Sequence, residues 1–180
     1  MGLRLLSVLL LIAINAFFVI AEFSMVTVRR SRIHQLVESG DAGAVAVESL
    51  HRSIDRLLST TQLGITLSSL ALGWIGESTM VKLIDVWLTS LPLPSGMNFF
   101  VVHSLSIPIT FLLIAYLQIV LGELCPKSLA ILYSEQLARF LGPLFKAIVR
   151  FFRPFIWILN QSNRCLLGLF GIEYTGKSWR

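Results

Sequence analysis

Two glutamates at the ends of apolar runs are the residues best placed to do chemistry in this sequence. Glu22 comes near the end of the first run and Glu123 near the end of the third. A carboxylate at membrane depth is costly unless it binds a cation, shares a proton or finds a base. Gly122 and Pro126 flank Glu123, a pattern that suggests a broken helix end where backbone carbonyls and a carboxylate meet. Between the two glutamates lies a polar, glycine-containing run with Gln62, Gly64, Thr66, Ser68, Ser69 and Gly73, and Ser24 adds a hydroxyl two residues after Glu22. Hard divalent cations take oxygen ligands, and Mg²⁺ takes about six. Hydroxyls, an amide and carbonyls beside glycines, facing one carboxylate, therefore make a candidate cation site. Each residue also has a blander role: serine and threonine pack helices closely, and a glutamate at a span end snorkels to water or caps a helix.

Other chemistries find less support. His34 and His51 fall in a polar loop and His103 near the outer end of the third run, none at a telling distance from a serine or cysteine. There is no HExxH, and the glycines of 64–76 follow no strand–turn–helix pattern, so no phosphate loop is expected. Cys125 and Cys165 are far apart and read as unpaired thiols. An intramembrane enzyme is disfavoured for want of a nucleophile–base pair. The net charge of +5 comes from arginines that flank apolar stretches, which points to topology signals and anionic headgroups rather than nucleic acid.

The elements that hold these residues must be membrane helices. Of 180 residues, 55% are hydrophobic and 14% charged, against about 25% charged in a typical soluble domain. A chain this short cannot hide that much apolar surface from water. The first span is expected over 3–27, with an apolar run from Leu5 to Ala21 too long for a signal-peptide core. A polar helical hairpin over 29–56 turns at Ser39-Gly40-Asp41. Its Arg29, Arg30, Arg32, Arg52 and Arg56 place it in the cytoplasm and the N-terminus outside. A second span over 57–77 leads to a short helix and an outside loop with Pro92, Pro94 and Gly96. A third span over 97–124 is kinked at Pro108 and returns the chain to the cytoplasm. Over 134–172, Lys146, Arg150 and Arg153 make a basic stripe among aromatic residues, the pattern of a helix lying in the membrane surface. Pro143 and Pro154 are expected to break it into pieces. A fourth span there, which would put the C-terminus outside, is the lesser alternative. The fold class is thus an all-α, multi-pass integral protein of the inner or plasma membrane.

Asn15-Ala-Phe-Phe-Val-Ile-Ala-Glu-Phe-Ser-Met-Val, Arg29-Arg-Ser-Arg-Ile, Thr61-Gln-Leu-Gly-Ile-Thr-Leu-Ser-Ser-Leu-Ala-Leu-Gly-Trp, Gly122-Glu-Leu-Cys-Pro-Lys-Ser-Leu-Ala and Phe152-Arg-Pro-Phe-Ile-Trp together resemble the transmembrane domain of the CNNM/CorC family. The resemblance covers nearly the whole chain, in the family's order. It implies a homodimer with three spans per subunit and a juxtamembrane belt helix. It also implies Mg²⁺ export, with Na⁺ entry as the proposed counter-flow. It puts the family's glutamate ligand on Glu123. The polar position after Gln-x-Gly-x-Thr, often asparagine in relatives, falls on Ser69. Where many relatives have a serine-glycine pair in the first span, Val19 and Ile20 stand here, so Ser24 or a backbone carbonyl would replace that ligand. Relatives continue into paired CBS modules that bind adenine nucleotides, which a chain ending at Arg180 is expected to lack. Two further classes remain in view: a Mg²⁺-sensing membrane scaffold without transport of its own, and a membrane-damaging haemolysin.

Overall fold

The computed structural model of the chain describes residues 2–90 and 99–169, and every regular element in them is helical. The order is α1 (Gly2–Thr27), α2 (Arg30–Glu38), α3 (Ala42–His51), α4 (Ile54–Ser90), α5 (Phe99–Ile119), a π-helical turn (Val120–Leu124), α6 (Cys125–Leu132) and α7 (Ser134–Leu169). Two stretches, Leu5–Thr27 and Ser106–Leu132, are long and apolar enough to cross a membrane. The hydroxyl and glycine positions of α4 dilute its apolar character.

α1 is rich in leucine, isoleucine and alanine and has no proline, so nothing interrupts it until Arg29 turns extended at ψ 126°. Gly40 reverses the chain between α2 and α3 at a φ of +86°, a conformation that favours glycine. The Asp41 carboxylate then accepts a 2.7 Å hydrogen bond from the Ala44 N–H and caps α3. α4 continues past Glu77 to Ser90 as one helix, where the sequence suggested a break after 77. No proline or glycine follows Gly76 until Pro92, so nothing stops it earlier. The loop expected at Pro92, Pro94 and Gly96, and residues 170–172 of the last helix, lie outside the described residues.

The main core lies where α1, the α2–α3 hairpin and α7 meet. Phe18, Ala21 and Met25 of α1 are buried against Ile33, Ala44, Val47 and Leu50 of the hairpin and against Ala138, Leu141, Phe145 and Val149 of α7. Phe17, Phe18 and Phe145 stack with ring centroids 5.5–6.4 Å apart. A smaller cluster of Val8, Ile12 and Leu72 joins α1 to α4 further along.

α7 is one continuous helix, which corrects the expectation that Pro143 and Pro154 would divide it. Each proline removes one N–H and leaves the carbonyl four residues earlier, on Arg139 and on Arg150, without its usual donor. Both rings are exposed, so the helix accommodates them without disturbing packing. The freed Arg139 carbonyl faces Gly43 so closely that a Cβ there would lie 2.5 Å from it. Gly142 meets Val47 in the same crossing, where a Cβ would lie 2.8 Å from a methyl. The α3–α7 contact therefore depends on these two glycines. Charge reinforces it: Arg139 bonds Asp41, and Arg32 reaches both Glu135 oxygens at 3.0 and 3.3 Å. Beside Arg139 the Asp41 carboxyl is held below its ordinary pKa, and Arg32 does the same for Glu135.

Candidate functional site

The apolar crossing of α1, α4 and the π turn holds a buried polar core built around Asn15. Asn15 is 2% exposed. Its amide nitrogen donates to the Gly122 carbonyl at 3.0 Å, and its amide oxygen lies 3.0 Å from the Ser68 hydroxyl and 3.4 Å from that of Ser69. From α5, the Gln118 amide nitrogen donates to Ser69 Oγ at 3.3 Å. The core thus gathers Asn15, Ser68, Ser69, Gln118 and one backbone carbonyl from three helices and the π turn, with no charged side chain among them.

Local sequence explains why that carbonyl is free. Pro126 has no N–H, so it cannot make the helical bond to Gly122 O. The extra residue of the π turn, closed by the Cys125 N–H on Val120 O, loosens the ladder at the same point. The Asn15 amide fills the gap. Gly122 leaves little room beside the core: a Cβ there would come within 3.0 Å of Gln118 Oε1 and 3.2 Å of Asn15 Nδ2, so both side chains would have to give way. Gly64 acts similarly on α4, where a Cβ would fall 2.4 Å from the Phe18 ring, so the glycine lets α1 and α4 approach closely.

The sequence-derived candidates divide into four groups. Ser68 and Ser69 lie in the polar core, and Gly64 joins it through its carbonyl, 2.8 Å from Ser68 Oγ. Glu22 and Ser24 sit lower on α1. Ser24 is fully buried with its hydroxyl on Ala21 O at 3.2 Å. Glu22 is partly buried, within reach of the Thr61 hydroxyl and the Lys127 ammonium. Lys127 in turn lies 4.4 Å from the Phe23 ring centroid. Gln62, Thr66 and Gly73 are exposed, although Gly73 borders a groove between α4 and α5. Glu123 follows Gly122 directly, but its side chain is exposed and meets no hydrogen-bond or ion-pair partner among the described residues. Among the described residues no three His, Cys, Asp or Glu side chains gather to hold a metal.

Asn15 and Gln118 were not singled out from sequence. Their signal was present: each is a lone amide in an otherwise apolar run, which at membrane depth demands a partner.

This constellation sits inside a sequence that matches a known family model. Residues 5–178 match the cyclin M transmembrane N-terminal domain. The chain belongs to the CNNM family. Among its relatives, the UPF0053 protein YhdT of Bacillus subtilis is 43% identical over 91% of this chain and 34% of its own length. The UPF0053 protein YrkA of the same organism is 40% identical over 91% of this chain and 37% of its own. The UPF0053 inner membrane protein YfjD of Escherichia coli is 28% identical over 89% of this chain and 33% of its own. The CNNM domain described here thus spans about a third of the length of these relatives. It is a membrane-type domain, and its family membership is consistent with a transport-related role rather than with a known enzyme family.

Proposed function

We propose that this CNNM domain carries Mg²⁺ out of the cell across the inner or plasma membrane, in exchange for Na⁺ entering, as a homodimer with three spans per subunit. The single observation that carries this is the Asn15–Ser68–Ser69–Gln118–Gly122 polar core, buried at Asn15, Ser68 and Gly122 and half-buried at Ser69 and Gln118, a set of hydrogen-bonding groups placed where an apolar helix crossing would be simpler to pack. Polar groups held inside a membrane bundle mark ion and substrate paths. The core offers amide, hydroxyl and carbonyl oxygens, which are hard-cation ligands.

α4 serves as the third crossing, between α1 and α5, since three of its hydroxyls are spent within the helix: Thr60, Thr61 and Ser68 all bond carbonyls of their own helix. The arginines of the hairpin and the basic face of α7 favour a cytoplasmic location for that end. The exposed Phe151, Phe155, Trp157 and Ile158 of α7 support a belt helix lying in the inner leaflet's surface.

Neutral oxygens alone balance a divalent charge poorly, and Glu123 is the adjacent carboxylate. In the conformation seen its side chain is exposed and bonds none of the core residues. The π turn supplies the means to bring it in. Moving the extra residue along by one position rotates the stretch it crosses by about 100°. Alternating access then consists of a rotation at Val120–Leu124 that swings Glu123 between core and cytoplasmic side. Na⁺ uses the same oxygens on the return.

The test is reconstitution of the domain in liposomes loaded with Mg²⁺ and a Na⁺ gradient. Efflux that disappears in Glu123→Ala supports the carrier; Mg²⁺ binding with no flux from any preparation would instead favour the sensing scaffold.

A further inference from the structure

Outside the polar core, a cavity of about 290 Å³ opens between α2 and α3. Its lining is Arg30, Ile33 and His34 of α2, Glu48 and His51 of α3, and Arg52, the C-cap of α3. Ile33 is buried, and the other five are ionisable. The cavity is tied to the first membrane helix: His51 Nε2 donates to the Met25 carbonyl at 2.7 Å, in the last turn of the apolar stretch Leu5–Thr27. Arg30 follows the end of that stretch by three residues. The cavity therefore lies at the depth where α1 leaves the hydrocarbon layer, which is headgroup depth. Its charges are of both signs. Glu48 Oε2 accepts from one nitrogen of Arg52 at 2.9 Å, and Glu48 Oε1 lies 3.4 Å from His34 Nδ1. These contacts leave capacity, since a guanidinium has five N–H donors and a carboxylate about four lone-pair sites. With its Nε2–H on Met25, a neutral His51 ring presents Nδ1 as an acceptor. A plain anion here would meet Glu48, and a plain cation would meet two arginines. A zwitterion satisfies both.

We propose that this cavity holds the phosphoethanolamine headgroup of a lipid in the adjoining leaflet. The phosphate lies on Arg30 and Arg52, whose planar forks match phosphate oxygens. The primary ammonium donates to Glu48 and to His51 Nδ1. The short link between phosphate and ammonium in this headgroup keeps its two charges within one cavity. Phosphatidylglycerol brings a phosphate without an ammonium and leaves Glu48 facing an anion. Phosphatidylcholine carries methyl groups in place of the N–H donors and gives nothing to either acceptor. Through His51, a lipid bound here pins the α2–α3 hairpin and the last turn of α1 to the same headgroup layer. The site is independent of which ion the domain carries.

The ring signals of the chain's three histidines report on this by NMR of the purified domain in maltoside micelles. The probes are short-chain phosphatidylethanolamine, phosphatidylcholine and phosphatidylglycerol. The expected result is a saturable shift of the His34 and His51 signals, but not of His103, with phosphatidylethanolamine, and binding about tenfold weaker for the other two lipids. Arg30→Gln should weaken phosphatidylethanolamine by about tenfold, and because Arg30 is exposed the fold is kept. Glu48→Gln should erase the preference for phosphatidylethanolamine over phosphatidylglycerol. If Glu48→Gln unfolds the hairpin, Arg30→Gln alone decides. Equal affinity for the three lipids, undiminished binding in Arg30→Gln, or an unchanged preference in folded Glu48→Gln overturns the proposal. Free phosphoethanolamine binding as tightly as the lipid overturns the membrane assignment and gives the cavity to a soluble phosphate compound.

Discussion

Replacing Asn15 with leucine keeps the side chain's size and removes both of its hydrogen-bonding groups. The partner that suffers is Gly122 O, which loses its 3.0 Å donor and cannot recruit the missing N–H of Pro126. Ser68 suffers less, because Gly64 O remains 2.8 Å away. A stranded buried carbonyl costs about 1–3 kcal/mol, while measured polar contacts within membrane bundles average about 0.6 and reach about 1.7 kcal/mol. The expected loss is therefore about 2 kcal/mol, concentrated at the α1–π-turn contact. Reversible unfolding in mixed micelles measures it. Ser68→Ala alone should cost under about 1 kcal/mol, since the residue keeps its place in the packing. A destabilisation by Asn15→Leu below about 0.5 kcal/mol would show that Gly122 O finds another donor, and would refute the account of why Asn15 is buried there.

Three further outcomes follow from the geometry. Gly64→Val should destabilise by about 1–3 kcal/mol through overpacking, because its Cβ would strike the Phe18 ring, and Phe18→Ala in the same chain should recover part of the loss; a tolerated Gly64→Val would mean that α1 and α4 do not approach this closely. Glu123→Ala should leave unfolding within about 0.5 kcal/mol of the parent, since the side chain is exposed and unpaired, while abolishing Mg²⁺ efflux; unfolding assays and flux on the same sample separate the two effects. The α2–α3 hairpin should loosen from α7 in acid: Asp41 and Glu135 have folded pKa values below their unfolded ones, so their contribution is complete above the unfolded values of about 4 and lost as pH falls through the lowered ones. Spin-label distances between α2 and α7 should broaden below about pH 4 and stay narrow at pH 7, and an unchanged distribution at pH 3 would contradict it.

Much of the architecture was readable from residue pattern, and the exceptions have physical causes. The helical class follows from long apolar runs, and the reversal at Gly40 with its Asp41 cap follows from turn chemistry. The continuity of α7 does not follow from its sequence, because proline ordinarily breaks a helix, whereas these two exposed prolines only free the carbonyls of Arg139 and Arg150. The π turn left no periodic trace: one extra residue per turn is visible only once Gly122 O is seen pairing with Asn15. In the polar core, Ser68 and Ser69 stand out in the sequence as paired hydroxyls in a leucine-rich span. Asn15 and Gln118 are less conspicuous in the sequence than the carboxylates, although an amide in an apolar run also demands a partner. The exposure of Glu123 depends on the helix register set by the π turn, which spacing alone does not reveal.

The central claim is that a cation passes through the oxygens of the Asn15 core. The most direct measurement is Mg²⁺ binding to the purified domain, by calorimetry in detergent, for the parent and for Ser69→Ala, a substitution that removes one core hydroxyl and leaves the Asn15–Gly122 bond in place. Saturable binding in the parent that weakens at least tenfold in Ser69→Ala, about 1.4 kcal/mol, is the predicted result. Equal affinity in the two proteins, with folding intact, would contradict it.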